Sequence, residues 1–173
     1  LPFRLNPQMP EGGVGRREYR TRKFGSWERS LELDAQVAAA GGAEGIHFAF
    51  DRMERTPNTL DAHRLIWLAE TEGVQGAVVE GLFRAYFTDG LNIGDYQVLA
   101  KLSAEVGLDP AEAIAVLEAD EYAADVDVDI ALAQQIGIGG VPFFVFNGKY
   151  AVSGAQPVEA FDEVLRQAWS DEG

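Results

Sequence analysis

The sequence predicts an α/β fold in which helices outnumber strands, and three observations lead to this prediction. Residues 143–146 (FFVF) form a short apolar run before an Asn-Gly pair, which is typical of a β-hairpin. Residues 15–136 repeat the apolar spacing of amphipathic helices. A closing amphipathic helix is expected from Pro157 to about Trp169. The predicted order is therefore a strand, a long helical block, a hairpin and a helix.

The chain opens with "LPFRLNP", an extended segment in which residues 3–5 are expected to form the first strand. The pair Asn6-Pro7 ends this segment, because proline restricts the preceding residue and breaks regular structure. "PEGGVG" then reads as a loop.

Capping signals predict the helix boundaries within the helical block. Side chains suited to N-caps precede four of the expected helices: Ser26, Asn58, Asp95 and Asp109. The pair Gly41-Gly42 is expected to end the helix that Ser26 begins. The last helix of the block is expected to run from about Asp120 to Ile136.

Composition and charge exclude several classes of function. The 173 residues carry a net charge of −14, which argues against general nucleic-acid binding because that affinity rests on neutralising phosphates. Residues 16–29 are locally basic, and two interpretations stay open: a solvated helix face or a patch for an anionic partner. No apolar run is long enough for a transmembrane helix.

The chemistry-bearing residues are few. The sequence contains no cysteine, so these residues offer no disulfide, no thiolate nucleophile and no thiolate ligand. His47 and His63 lack the spacing of a zinc site. The run "DVDVDI" lacks the glycine and glutamate of a calcium loop and is expected to be an acidic helix face. We therefore expect no metal site.

Pro142 stands directly after Val141, where the hydrophobic strand begins. Proline has no N–H to donate and is tolerated only at the start, edge or bulge of a strand. An X-Pro bond can be cis at small cost, and a cis-proline usually marks a tight turn with a function. We expect the bond between Val141 and Pro142 to be cis.

Three segments together resemble a known family: "LPFRLNP", "RTPNTLDAHRL" and "GVPFFVFNGKYAVSGAQP". They are similar to the FrnE-like branch of the DsbA family of dithiol oxidoreductases, which have a thioredoxin-like fold with a large all-helical insertion. The resemblance implies a thioredoxin-like part formed by residues 1–14 and 137–173, and a helical insertion domain of residues 15–136.

In that family a Cys-x-x-Cys dithiol lies upstream of the strand with which this sequence begins. The resemblance therefore implies that the chain lacks the first strand, the dithiol and the first helix, holds no catalytic residue, and is alone inactive in redox chemistry. It also implies that residues 3–5 do not pair directly with residues 143–146, because a central strand belongs between them. In the full-length protein the function would be thiol–disulfide exchange.

The resemblance also implies a substrate groove and its partners. The groove would be lined by Val141, Pro142, Phe143, Asn58 and His63, with the backbone of Val141 holding the substrate. A partly buried structural role is the alternative for His63. The expected partner is a protein or small molecule that contains a disulfide or a thiol. We expect no nucleic acid and no membrane as partners, and a cytoplasmic location.

Two alternatives remain open. Free N–H groups near Gly154, Ala155 and Gln156, where the last strand meets the last helix, could hold an anion or simply cap the helix. Kappa-class glutathione transferases and 2-hydroxychromene-2-carboxylate isomerases bind glutathione at the matching place. A glutathione-dependent enzyme is therefore the second candidate. No cofactor is expected for the main function, and glutathione would be the cofactor only in this second candidate. A cysteine-free module that binds extended peptides at the Val141-Pro142 edge is the third.

Overall fold

The computed structural model describes residues 2–171, so Leu1, Glu172 and Gly173, which belong to the predicted thioredoxin-like part, lie outside the described residues. Helices dominate. The elements in chain order are β1 (Val14–Gly15), α1 (Arg16–Phe24), α2 (Trp27–Ala43), β2 (Arg55–Thr56), α3 (Leu60–Thr71), α4 (Gln75–Phe83), a π-helical turn (Arg84–Thr88), α5 (Tyr96–Glu105), α6 (Pro110–Glu118), α7 (Ala123–Gln135), β3 (Phe143–Phe146), β4 (Tyr150–Ser153) and α8 (Val158–Ser170).

The described chain divides into two compact units. The helical unit comprises residues 6–126, and the hairpin unit comprises residues 2–5 together with 127–171. These boundaries lie at different places from the 14/15 and 136/137 boundaries expected from the sequence, because residues 6–14 belong to the helical unit and most of α7 to the hairpin unit.

The core of the helical unit lies between α3, α4, α5 and α6. The largest of the almost completely buried apolar side chains there are Leu65, Val78, Leu99 and Leu117. Burying a side chain of this size contributes about 1.5–3 kcal/mol each, so the four-helix packing provides much of this unit's stability. Gly81 on α4 lets the two helices approach closely, since a Cβ atom there would lie 3.1 Å from Cγ of Leu102 on α5.

Two buried arginines are built into the helical unit. Arg64 on α3 is 1% exposed and donates hydrogen bonds to three main-chain carbonyls and to Asp61. Arg16 on α1 is 4% exposed and pairs with Asp34 on α2 at 2.8 Å. Arg20 also bonds Asp34, at 2.6 Å, so two guanidinium groups share one carboxylate. Burial, and then the charge of Arg16, lower the pKa of Arg20 below its ordinary value.

Three of the predicted N-caps are confirmed. The Ser26 hydroxyl accepts from Arg29 N at 3.0 Å, and the carboxylates of Asp95 and Asp109 accept from the backbone N–H two residues later, both at 2.8 Å. The N-cap predicted at Asn58 is wrong by one position, because α3 begins at Leu60 and its N-cap residue is Thr59. The last helix of the block, α7, is shorter at both ends than predicted.

The predicted stop of α2 is wrong. The helix continues through Gly41 and Gly42 and ends at Ala43. Gly45, at φ +78°, is the residue that leaves the helix in the left-handed region. Its N–H donates to the Gly42 carbonyl and the next N–H, that of Ile46, donates to the Gly41 carbonyl at 2.8 Å, which is a Schellman motif.

Two features of the helical unit were not predicted. The strands β1 and β2 form a two-residue antiparallel ladder, and α4 continues directly into the π-helical turn. The backbone N–H of Asp89 donates to the Arg84 carbonyl at 2.9 Å, five residues back, as a π-helix requires. No helix among the described residues is long and apolar enough to cross a membrane. Within residues 2–171, no group of three or more acidic or histidine side chains is placed to hold a metal ion.

The hairpin unit consists of β3 and β4 with α8 packed against them. Phe144 on β3 contacts Phe161 on α8 edge-to-face, with 5.0 Å between the ring centroids. Among the described residues β3 pairs with β4 alone, and residues 3–5 form no strand. The expectation that residues 3–5 do not pair with residues 143–146 is therefore confirmed, whereas the strand expected at residues 3–5 is absent.

Candidate functional site

The segment before β3 is the first part of the candidate site. The peptide bond between Val141 and Pro142 is cis, as the sequence predicts. Both residues are exposed, Val141 at 52%. Among residues 2–171, the backbone N–H and C=O of Val141 have no hydrogen-bond partner. This segment therefore presents a free donor and a free acceptor next to a strand.

The ladder between β3 and β4 shows which other backbone groups are free. Gly154 N donates to the Pro142 carbonyl at 2.8 Å, one step beyond the pair Phe143 and Ser153. Hydrogen-bonded and non-hydrogen-bonded pairs alternate along an antiparallel ladder. The N–H and C=O groups of Phe143 and Val145 therefore point away from β4, toward the outer edge of β3. We call Val141, Phe143 and Val145 the β3 edge.

A row of unpaired backbone groups on a strand edge can accept another extended chain. Along a strand, every second side chain lies on the same face, so Phe143 and Val145 share one face of the hairpin. Val145 is 46% exposed and Val141 52% exposed, which gives the β3 edge an apolar character. Val141 and Phe143 have a role predicted from the sequence and Val145 has none, although the two-residue period of a strand is the signal that groups Val145 with Phe143.

The tight turn of the hairpin holds this edge in place. Asn147 and Gly148 both adopt left-handed backbone conformations, at φ 52° and 65°. The Asn147 side chain donates to the Ala168 carbonyl of α8 at 2.9 Å, which fixes the turn to the end of that helix. Asp171 accepts from Tyr150 at 2.5 Å and from Lys149. These hydrogen bonds lower the pKa of Asp171 and raise the pKa of Lys149.

The second predicted site lies at residues 154–156, where β4 leads toward α8. The N–H of Gly154 is already engaged by Pro142, and Gln156 Nε2 donates to the Ser153 carbonyl at 2.9 Å. The backbone N–H groups of Ala155 and Gln156 have no partner among residues 2–171. An anion site here stays a prediction, and two of its three backbone N–H groups are available to bind an anion.

Asn58 and His63, the other two residues of the predicted groove, both lie in the helical unit. Asn58 Nδ2 donates to the Met9 carbonyl at 2.8 Å, and Asn58 Oδ1 accepts from Leu60 N at 2.9 Å. Asn58 thus joins the loop at residue 9 to the start of α3. His63 is half-buried on α3, and its backbone N–H donates to the Thr59 carbonyl. The predicted groove role of both residues stays a prediction.

A family model described as the DSBA-like thioredoxin domain matches residues 1–166. The chain belongs to this family. No curated protein matches the chain. The family assignment agrees with the hairpin, the cis-proline segment before it and the helical unit ahead of it. The thioredoxin-like fold with a large helical insertion, expected from the sequence, is thereby confirmed.

Two solved structures place this DsbA-like chain among known folds. A probable DsbA oxidoreductase from Streptomyces coelicolor is 35% identical, with a TM-score of 0.87, and the match covers 97% of this chain and 73% of that one. A protein described as a disulfide isomerase from Nitrosomonas europaea has a TM-score of 0.66 at 20% identity, over 84% of this chain and 76% of that one. The second match supports the fold alone.

Proposed function

We propose that this DsbA-like chain serves thiol–disulfide exchange as a FrnE-like oxidoreductase, and that its own part is to hold the substrate. One observation carries the proposal: among residues 2–171 the backbone N–H and C=O of Val141 are unpaired beside Pro142, in a segment that is exposed. The expected substrate is an extended polypeptide that carries a disulfide or a thiol. In extended form, it would hydrogen-bond to the free backbone N–H and C=O of Val141.

The exchange itself requires two thiols. A thiolate attacks a sulfur of the substrate disulfide, forming a mixed disulfide and releasing a substrate thiolate; a second thiol then attacks the mixed disulfide and releases the reduced substrate. The enzyme dithiol ends as a disulfide, so two electrons pass to the substrate. None of the 173 residues is a cysteine, so in this proposal both thiols come from outside them.

The experiment isolates the substrate-holding step from the chemistry. A fluorescein-labelled peptide of alternating valine and threonine residues is titrated against the 173-residue chain and followed by fluorescence anisotropy. Val141→Pro removes one backbone N–H from the β3 edge, and Val141→Ala shortens the side chain but keeps that N–H. We expect Val141→Pro to weaken binding about three- to tenfold, since one hydrogen bond is worth about 0.5–1.5 kcal/mol.

Val141→Ala should stay closer to the unchanged chain than Val141→Pro does. An amide signal of Gly154 that stays in place shows that the hairpin of each variant is intact, because that N–H bonds Pro142. Equal binding by Val141→Pro and Val141→Ala would refute backbone recognition at this edge. A companion measurement, insulin reduction by the natural gene product with a thiol reductant, separates an oxidoreductase from a peptide-binding module.

A glutathione-dependent enzyme is the second candidate, favoured by the two free N–H groups at Ala155 and Gln156. Glutathione carries carboxylates that such N–H groups can hold. Titration of glutathione against the ¹⁵N-labelled chain should then shift the amides of Ala155, Gln156 and Val158. Methylamine, which has no carboxylate, is the control. Shifts spread over other residues, or none, would reject this candidate and leave the proposal above intact.

A further inference from the structure

A second site lies entirely within the helical unit, away from the hairpin in sequence. A cavity of about 320 Å³ is lined by α4, the π-helical turn and α5. This volume lies at the lower end of the range of pockets that hold small molecules. We call it the α4–α5 groove. No residue that lines it has a role predicted from the sequence, and the proposed redox function does not use it.

The floor of the groove is apolar because small and aliphatic residues face it from both helices. Gly81 and Ala85 contribute from α4 and the π-helical turn, and Val98 and Leu102 from α5. Val98 and Leu102 are four residues apart and therefore lie on one face of α5. Leu91, which also lines the groove, is 40% exposed. An aliphatic ligand placed here would remove apolar surface from water.

The rim is polar and its charges are arranged unevenly. Arg84 forms ion pairs with two carboxylates, that of Glu105 and, at 3.9 Å, that of Asp89. Lys101 lines the same cavity, yet among residues 2–171 it forms no ion pair and no side-chain hydrogen bond. In a chain with a net charge of −14, a lysine without a carboxylate partner beside an apolar floor is an available site for an anion.

The π-helical turn shapes this groove. A π-helix inserts one residue into a helix, and such turns are frequent at functional sites. Gly81 lies just before the turn, where a Cβ atom would lie 3.2 Å from Cδ1 of Leu102, so the helices are close at that end. Arg84 is the first residue of the turn and reaches Glu105 across the cavity. Glu105 and Lys101 are four residues apart on α5, so the ion pair of Arg84 lies beside the unpaired Lys101.

We propose that the α4–α5 groove binds a small amphipathic carboxylate, a ligand with one carboxylate group on a short aliphatic chain. The aliphatic chain lies on the floor of Ala85, Val98 and Leu102. The carboxylate accepts a charge-assisted hydrogen bond from Lys101 Nζ, with the Gln97 amide beside it as a second donor. The two acidic side chains of the rim, Asp89 and Glu105, are both paired with Arg84, which leaves Lys101 as the cation of the rim that is not engaged.

Hexanoate is the probe, titrated against the ¹⁵N-labelled 173-residue chain and followed by amide chemical shifts. We expect saturable shifts confined to residues 81–105, with a Kd on the order of 1 mM for so small a ligand. Hexan-1-ol has the same chain without the charge and should bind about tenfold more weakly.

Lys101→Gln should weaken hexanoate binding about tenfold and leave hexan-1-ol binding unchanged, since it removes only the charge. Lys101→Arg should bind hexanoate nearly as the unchanged chain does. Lys23→Gln removes an exposed lysine of α1 and is the matched control, expected to bind hexanoate normally. Equal binding of the acid and the alcohol, normal binding by Lys101→Gln, shifts outside the groove, or no saturable shifts would each overturn the proposal.

Discussion

Arg64 shows how one buried charge can connect two helices. Its Nε donates to the Glu121 carbonyl at 2.7 Å and its Nη2 to the Val116 carbonyl at 2.6 Å. Its Nη1 bonds the Leu117 carbonyl at 3.0 Å and Asp61 at 2.8 Å. The last carbonyls of a helix lack intrahelical partners, so the guanidinium of α3 satisfies the C-terminal end of α6. Arg64 is thus a structural residue, although it follows the predicted groove residue His63.

Replacing Arg64 tests this role at the residue scale. Arg64→Met keeps the length of the side chain but removes the Arg64 donor from the Glu121 carbonyl and from the carboxylate of Asp61. The Val116 carbonyl keeps its bond from Glu121 N, and the Leu117 carbonyl keeps its bond from the Tyr96 hydroxyl. We expect the free energy of unfolding of the helical unit to fall by about 3–5 kcal/mol, as for other broken buried ion pairs. Urea unfolding followed by circular dichroism measures it.

The matched control is Arg166→Met on α8. Arg166 bonds Asp162 at 2.8 Å, but its side chain is 78% exposed. An exposed pair of this kind contributes about 0–1 kcal/mol, so the control should unfold nearly as the unchanged chain does. Similar losses in both variants would show that the buried network of Arg64 does not stabilise the unit.

At the scale of elements, the hairpin depends on its turn. Gly148 has φ 65°, a conformation that costs a residue with a Cβ atom about 1–2 kcal/mol. Gly148→Ala should therefore open the hairpin more often and speed hydrogen exchange of the amides in the β3–β4 ladder about five- to thirtyfold. Amide exchange followed by NMR measures this local opening without requiring global unfolding.

Gly139→Ala is the control for this prediction. Gly139 does not have a left-handed φ, and a Cβ atom added there would have no neighbour within 4 Å. In Gly139→Ala, the amides of the β3–β4 ladder should exchange as they do in the unchanged chain. If Gly148→Ala exchanges no faster than Gly139→Ala, then the left-handed turn is not what fixes the register of β3 and β4.

At the scale of the whole molecule, exposed apolar surface and net charge have opposite effects on self-association. Among residues 2–171, ten of the fifteen exposed large hydrophobic residues belong to the hairpin unit, which is the smaller of the two units. Three of them, Val128, Leu132 and Ile136, lie four residues apart along α7 and just beyond its end. Apolar patches of this kind promote association, whereas the net charge of −14 keeps copies of the chain apart.

Salt should therefore shift the balance toward self-association. Screening reduces the Debye length from about 10 Å at 0.1 M salt to about 3 Å at 1 M, while apolar attraction persists. We expect the molar mass from light scattering to rise with NaCl concentration. Leu132→Lys should suppress this rise, and Val37→Lys, at an equally exposed position of α2 in the helical unit, should not. A constant molar mass at 1 M NaCl would contradict the prediction.

The sequence by itself determined the features that depend on near neighbours in the chain. Ser26, Asp95 and Asp109 cap their helices because each side chain needs only an N–H two or three residues ahead. Asn147 and Gly148 specify the hairpin for the same reason, since their own backbone preferences form the turn. Three quoted segments were also enough to indicate the DsbA-like family, which the family model confirms.

Tertiary contacts decided the rest. Helix α2 passes through Gly41 because the ring of Phe48 packs against it: a Cβ atom there would lie 2.4 Å from that ring. Asn58 bonds Met9, and the unpaired Lys101 lies beside a cavity that forms only when α4 and α5 pack together. Likewise, β3 has a free edge because, among the described residues, it pairs with β4 alone. These partners are distant in sequence, and local preferences cannot specify a contact whose energy depends on a residue that only the folded chain brings near.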